Sequence, residues 1–83
     1  MGKITRNEFN DVVRRKVKER MEVPSGYDFA KENGLLFEDY ALDSLDVMEL
    51  ILEFEDIYHI KVDDRKIKNI KNVENLLSVL GVE

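Results

Sequence analysis

Apolar residues recur at helical spacing in three stretches of the chain, and no segment of convincing length alternates with a period of two. In the first stretch Phe9, Val12, Val13, Val17 and Met21 fall on one face, with Arg14, Arg15, Lys16, Lys18 and Arg20 mostly on the others. Thr5-Arg6-Asn7-Glu8 ahead of it has the form of a capping box, so a first helix is predicted over residues 5–21. Pro24-Ser25-Gly26 ends it, because proline cannot continue the backbone ladder. The second stretch begins at Asp43, whose carboxylate can cap free N–H groups, with Asp46 in the first turn complementing the helix dipole. Steps of about 100° per residue put Val47, Leu50, Ile51, Phe54, Ile57 and Tyr58 in one arc, the expected core face of a hub helix. Asp63-Asp64 followed by Arg65-Lys66-Ile67-Lys68-Asn69-Ile70 predicts a short third helix, acidic at its start and basic at its end. Asn72 opens the last helix, with Val73, Leu76, Leu77 and Leu80 apolar and Gly81 as its stop. Tyr58-His59-Ile60-Lys61-Val62 alternates only briefly and reads as extended at most. The expectation is one all-α domain over residues 1–83, a small bundle of four helices.

The connection between the first two helices is longer than compact domains usually hold without purpose, so it is either functional or pinned by its own apolar residues. The pinned reading is favoured here. Asp28 can cap a single helical turn that Asn33-Gly34 stops, and Leu35, Leu36 and Phe37 are expected to anchor the loop on the core.

Two further arcs remain on the second helix. Asp46, Glu49, Glu53 and Asp56 form an acidic ridge, and Leu45, Met48 and Leu52 form a second apolar stripe pointing away from the core face. A chain of 83 residues has little left to cover that stripe. The pair looks like a docking surface for a basic, partly apolar protein.

Charge sharpens this picture. Residues 1–21 carry a net +4, residues 22–64 a net −11 and residues 65–83 a net +2. The acidic middle argues against nucleic acid, whose phosphates it would repel. Cysteine is absent and His59 is the one histidine, which removes disulfides and thiolate chemistry and leaves no metal site expected. No apolar run approaches a membrane span and no signal-peptide pattern opens the chain, so a monomeric cytoplasmic protein is expected.

Of three serines, Ser25 lies in a turn and Ser78 inside the last helix. Ser44 alone stands at a helix start, where backbone N–H groups and the dipole favour an attached phosphate oxygen, although Asp43 and Asp46 oppose it. By itself such a serine is most simply a good N-terminal helix residue. An esterase using Ser44 would need His59 as base, and fifteen residues along one helix separate the two by about 20 Å, beyond hydrogen-bond reach.

Taken together, residues 5–82 resemble the acyl carrier protein family: a capped first helix, a long pinned loop, Asp43-Ser44-Leu45-Asp46 at the start of an acidic second helix, a short third helix and a closing one. The resemblance implies a four-helix bundle of the acyl-carrier type. It also implies that Ser44, flanked by Asp43 and Leu45, is the attachment site of 4'-phosphopantetheine, transferred from coenzyme A by a phosphopantetheinyl transferase. The chain would then be no enzyme but a carrier of acyl groups as thioesters, serving fatty-acid, polyketide or other specialised pathways. Leu45, Met48, Glu49 and Leu52 fall where the family's second helix meets its enzymes; with Asp46, Glu53 and Asp56 of the ridge they would meet acyl-loading and acyl-using enzymes with basic docking patches. Phe37, Asp39, Ile67, Ile70 and Val73 agree with the family as well.

The chain departs from that pattern in three places. Tyr40-Ala41 stands where the family commonly has Leu-Gly, Asp63 where a proline usually introduces the third helix, and Arg65, Lys66, Lys68 and Lys71 make basic a helix that is often acidic. These departures point to a dedicated partner set. Two alternatives stay open: a carrier-fold interaction module that is never modified, and an aminoacyl or D-alanyl carrier.

Overall fold

A computed structural model describes residues 4–82. Five helices follow in order: α1 (Arg6–Val17), α2 (Phe29–Glu32), α3 (Ser44–Tyr58), α4 (Asp64–Ile67) and α5 (Val73–Leu80). The four expected helices are present, and α2 is the single turn expected inside the long connection. Among the described residues no strand forms, only an isolated bridge between Leu35 and Asn72.

Each helix starts where a side chain satisfies the free N–H groups of its first turn. Thr5 and Glu8 close the capping box of α1, and Asp28, Asp63 and Asn72 accept from backbone N–H groups at the starts of α2, α4 and α5. Stops are made by left-handed residues: Asn33 (φ 53°) after α2, His59 (φ 56°) after α3 and Gly81 (φ 72°) after α5. The first helix is shorter than predicted. Regular α1 ends at Val17, and the chain continues in tight turns, with both Arg20 and Met21 donating to the Val17 carbonyl. Met21 is 40% exposed and is not part of the core stripe.

The core is one cluster drawn from α1, α2, α3, α5 and the loops between them. Phe9 of α1 stacks on Phe54 of α3 with ring centroids 5.7 Å apart. Val47, Leu50, Ile51 and Phe54 are buried as the periodicity predicts, but Ile57 is 45% exposed and Tyr58 half-buried. Ile57 lies at the edge of the apolar arc, in the last turn of α3.

The long connection is pinned, by residues partly other than those expected. Leu36 is fully buried, whereas Leu35 and Phe37 are each 40% exposed. Backbone bonds lock the loop to the start of α5: Leu36 N–H donates to the Lys71 carbonyl at 3.0 Å, and Val73 N–H to the Gly34 carbonyl at 3.0 Å. Asn10, buried in α1, holds α2 by donating to Asp28 (2.8 Å) and accepting from the Ala30 N–H (3.1 Å). Tyr27, Phe29 and Tyr40 pack edge to face, and the Tyr27 and Tyr40 hydroxyls meet at 2.9 Å. Burial, with the Tyr27 hydroxyl next in weight, pushes the Tyr40 phenol well above its ordinary range.

Tyr40 and Gly34 are fitted to each other. A Cβ at Gly34 would sit 2.6 Å from Tyr40 Cζ and 2.9 Å from its Cε2, inside contact distance of a ring that has no room to retreat. Gly34→Ala is expected to cost about 1–3 kcal/mol by overpacking, and distinctly less in a Tyr40→Leu background, because the two residues share one space. Urea unfolding of the four proteins of the cycle checks this, and strict additivity would place the cost elsewhere. One residue on, Ala41 adopts φ 58° and makes the expected glycine-free turn at the expense of left-handed strain.

Candidate functional site

Ser44 is the first residue of α3 and is exposed at its amino end. The turn is built around it by its neighbours. Asp43 Oδ1 accepts from the Asp46 N–H (2.8 Å) while Asp46 Oδ2 accepts from the Asp43 N–H (3.1 Å), a reciprocal capping box. Ser44 therefore has no capping duty, and its hydroxyl has no hydrogen-bond partner among the described residues.

Asp46 does not stand on the exposed acidic ridge where the sequence puts it. It is 2% exposed, and its Oδ1 accepts from Arg20 Nη2 at 2.8 Å. One carboxylate thus closes the α3 cap with one oxygen and ties the α1–α2 connection with the other, so it has nothing to offer a partner. The Arg20 hydrogen bond holds the Asp46 carboxyl below the usual range against the opposing effect of burial. With the folded pKa depressed, this contribution to stability is present above the unfolded carboxyl value of about 3.9 and is lost as pH falls through the lower folded value. Arg20→Gln removes the main cause, so the Asp46 carboxyl should titrate higher and acid unfolding should begin at higher pH. Carboxyl-carbon NMR titration with circular dichroism reads both, and an unmoved Asp46 titration would contradict the pairing.

The remaining ridge is partly neutralised by α1. Lys16 Nζ lies 2.7 Å from Glu49 Oε1, and Arg15 Nη2 lies 3.0 Å from Glu53 Oε2. The Lys16 ammonium is raised above its ordinary value chiefly by that Glu49 bond. Glu49 and Glu53 keep part of their surface, and Asp56 is exposed. Beside them Leu45, Met48 and Leu52 are 62%, 45% and 57% exposed, the uncovered stripe that the periodicity predicts.

An apolar cavity of about 150 Å³ opens next to Ser44, lined by Phe37, Ser44, Val47, Met48, Ile67, Lys68 and Ile70. Two other depressions, of about 190 and 400 Å³, are not lined by Ser44; the first shares Ile70 with this cavity, and the second is lined mainly by polar side chains of α1 and the segment before α2. The site joins three elements: the loop supplies Phe37, α3 supplies Ser44, Val47 and Met48, and α4 with the segment after it supplies Ile67, Lys68 and Ile70. Arg20, and the clamping of the ridge by Arg15 and Lys16, are absent from the expected site. The opposite net charges of the first 21 residues and the middle segment carried a signal for them, without the pairing. His59 is the left-handed cap at the far end of α3 from Ser44.

Residues 11–80 match the family model described as "Phosphopantetheine attachment site", which takes in most of the chain. The chain belongs to the acyl carrier protein family. Among its relatives, an acyl carrier protein of Thermotoga maritima is 33% identical over 67 residues, 78% of this chain and 83% of the relative. One from Buchnera aphidicola is 36% identical over 47 residues, 57% of this chain and 60% of its own length. One from Phytoplasma australiense is 42% identical over 40 residues, 48% of this chain and 53% of its own length. Against these last two the chain spans only a little over half of the relative. No solved structure gives a significant match.

The family's cofactor is covalent 4'-phosphopantetheine, and the residues present fit it. A free hydroxyl stands at the positive end of α3, with an apolar recess beside it. Among the described residues no helix is long and apolar enough to cross a membrane.

Proposed function

We propose that the chain carries acyl groups as thioesters on a phosphopantetheine arm esterified to Ser44, and hands them to separate enzymes. The observation that carries this reading is the exposed, unpartnered Ser44 hydroxyl at the rim of an apolar cavity of about 150 Å³. When bound, the group supplies a terminal thiol for the acyl chain. The chain's own residues orient and shelter. Asp43 and Asp46 fix the first turn so that the Ser44 hydroxyl points outward, and the α3 N–H groups favour the phosphate oxygens against the nearby carboxylates. Phe37, Val47, Met48, Ile67 and Ile70 offer an acyl chain an alternative to water. A dry cavity of about 150 Å³ elsewhere accepts benzene, so a group of roughly six carbons fits as the walls stand, and a longer one must part α3 from α4.

Catalysis belongs on this reading to the partners, a phosphopantetheinyl transferase and the enzymes that load and use the acyl group in the cytoplasm. These meet Leu45, Met48 and Leu52, with basic groups set against Glu49, Glu53 and Asp56. The basic segment after Asp64 supports a specialised pathway with its own enzymes over a general fatty-acid synthase. Incubation with coenzyme A and a broad-specificity transferase is expected to add one phosphopantetheine, found by mass spectrometry on the peptide containing Ser44. An unchanged mass overturns the reading and leaves the unmodified interaction module. If the arm is added, the enzyme that loads it separates acyl from aminoacyl or D-alanyl cargo.

A further inference from the structure

The charge around the Ser44 cavity is not uniformly negative. Residues 65–71 hold Arg65, Lys66, Lys68 and Lys71. Arg65 is occupied by Asp63 at 3.0 Å, while Lys66, Lys68 and Lys71 are exposed and have no carboxylate partner among the described residues. Lys68 lines the same cavity as Ser44, Phe37 and Met48. Three of the α3 acids are met from within the molecule, Asp46 by Arg20, Glu49 by Lys16 and Glu53 by Arg15, while Asp56 is exposed. Lys68 is the one charged side chain in the cavity lining, and with Lys66 and Lys71 it forms an exposed cationic set on α4 and its exit.

We infer that the enzyme docking over Ser44 presents an acidic patch to Lys66, Lys68 and Lys71, beside an apolar strip that covers Phe37, Leu45 and Met48. This rests on the carrier reading and refines it: exposed Asp56 and the exposed parts of Glu49 and Glu53 take basic groups of the partner along α3, and the lysines take acidic ones along α4. Such a two-signed surface fixes the orientation of docking, since turning the partner end for end sets like charges against each other at both ends. A uniformly anionic partner fits poorly. An extended anionic surface such as an RNA or an anionic bilayer drawn to the lysines would also meet the exposed Glu38, Asp39 and Asp43, in a segment, residues 22–64, of net charge −11.

The test uses the full-length protein in its own cells, with a photo-crosslinking p-benzoylphenylalanine in place of Lys68. The expected product is a crosslink to an acyl-handling enzyme at a site bordered by Asp or Glu side chains. With that enzyme in hand, Lys66→Glu/Lys68→Glu/Lys71→Glu should weaken binding about tenfold at low salt, mostly through the association rate, and reversal of the bordering carboxylates to lysine should restore it. All three lysines are exposed, so thermal unfolding of the triple variant should match that of the parent. Crosslinks confined to RNA or lipid, no crosslink at all, a crosslinked surface that is basic, or unchanged affinity of the triple variant each overturn the inference. Mass analysis of Ser44 in the same preparations separates the two failures: an unmodified serine sinks the carrier reading, and a modified serine with unaffected docking sinks only the acidic patch.

Discussion

Ser44→Ala is expected to abolish attachment of phosphopantetheine completely while leaving the fold as stable as before. The two halves of that expectation come from the same geometry. Attachment needs an oxygen nucleophile, and at the cavity rim Ser44 is the residue that offers a free hydroxyl. Stability does not need that hydroxyl, because Asp43 and Asp46 already satisfy the first-turn N–H groups and alanine is a good helix former. An exposed change of this kind shifts stability by no more than about 0.5 kcal/mol. Intact mass after incubation with coenzyme A and transferase reads the first half, and thermal unfolding the second. Ser25 and Ser78 are also exposed and serve as internal controls. Addition that survives Ser44→Ala would move the site to one of them, and a large loss of stability would mean that Ser44 is holding the helix start after all.

Neither control serine shares the setting of Ser44, and that difference is already legible along the chain. Local signals are short-range: a capping residue, its partner three positions on, a glycine or an asparagine at a stop. Thr5 with Glu8, Asp43 with Asp46, and Asn72 before Val73 all do in the fold what their spacing suggests. Not legible was which neighbour each face meets. Asp46 and Ile57 illustrate this, because at about 100° per residue they lie within about 20° of each other around α3. Periodicity assigns the polar one to solvent and the apolar one to the core, and the fold reverses both. The segment carrying Arg20 covers that edge at the first turn and supplies a guanidinium, so the carboxylate is buried and paired. At the last turn the edge is left open, and Ile57 stays 45% exposed.

The acidic ridge follows the same rule at longer range. Glu49 and Glu53 could be placed on one face from spacing alone, but their pairing with Lys16 and Arg15 depends on how α1 lies across α3, which no pattern within either helix encodes. The apolar stripe of Leu45, Met48 and Leu52 was readable because it required only that no further element cover it. Lys68 and Phe37 reach the Ser44 cavity from two segments far apart in the chain, and only the tertiary fold brings them together.

The packing that orients α3 should fail first at Phe54. This ring is fully buried, stacked on Phe9 at 5.7 Å and on Tyr58 at 6.1 Å, so it ties α1 to the middle of α3 and to its last turn. Phe54→Ala removes the transfer energy of a large aromatic and leaves a cavity, at a cost of about 3–5 kcal/mol. For a chain of 83 residues total stability is of order 4–12 kcal/mol. The substitution therefore removes about a quarter of it or more and should lower the melting temperature by tens of degrees. Leu52→Ala, two residues away on the same helix but 57% exposed, should change stability by no more than about 0.5 kcal/mol. Denaturant unfolding of both variants separates the two faces of α3 in one experiment. Equal losses would mean that the stripe is covered by the chain itself and is not available to a partner. Unequal ones leave Leu45, Met48 and Leu52 uncovered by the chain, with Phe54 the residue that holds them facing outward beside Ser44.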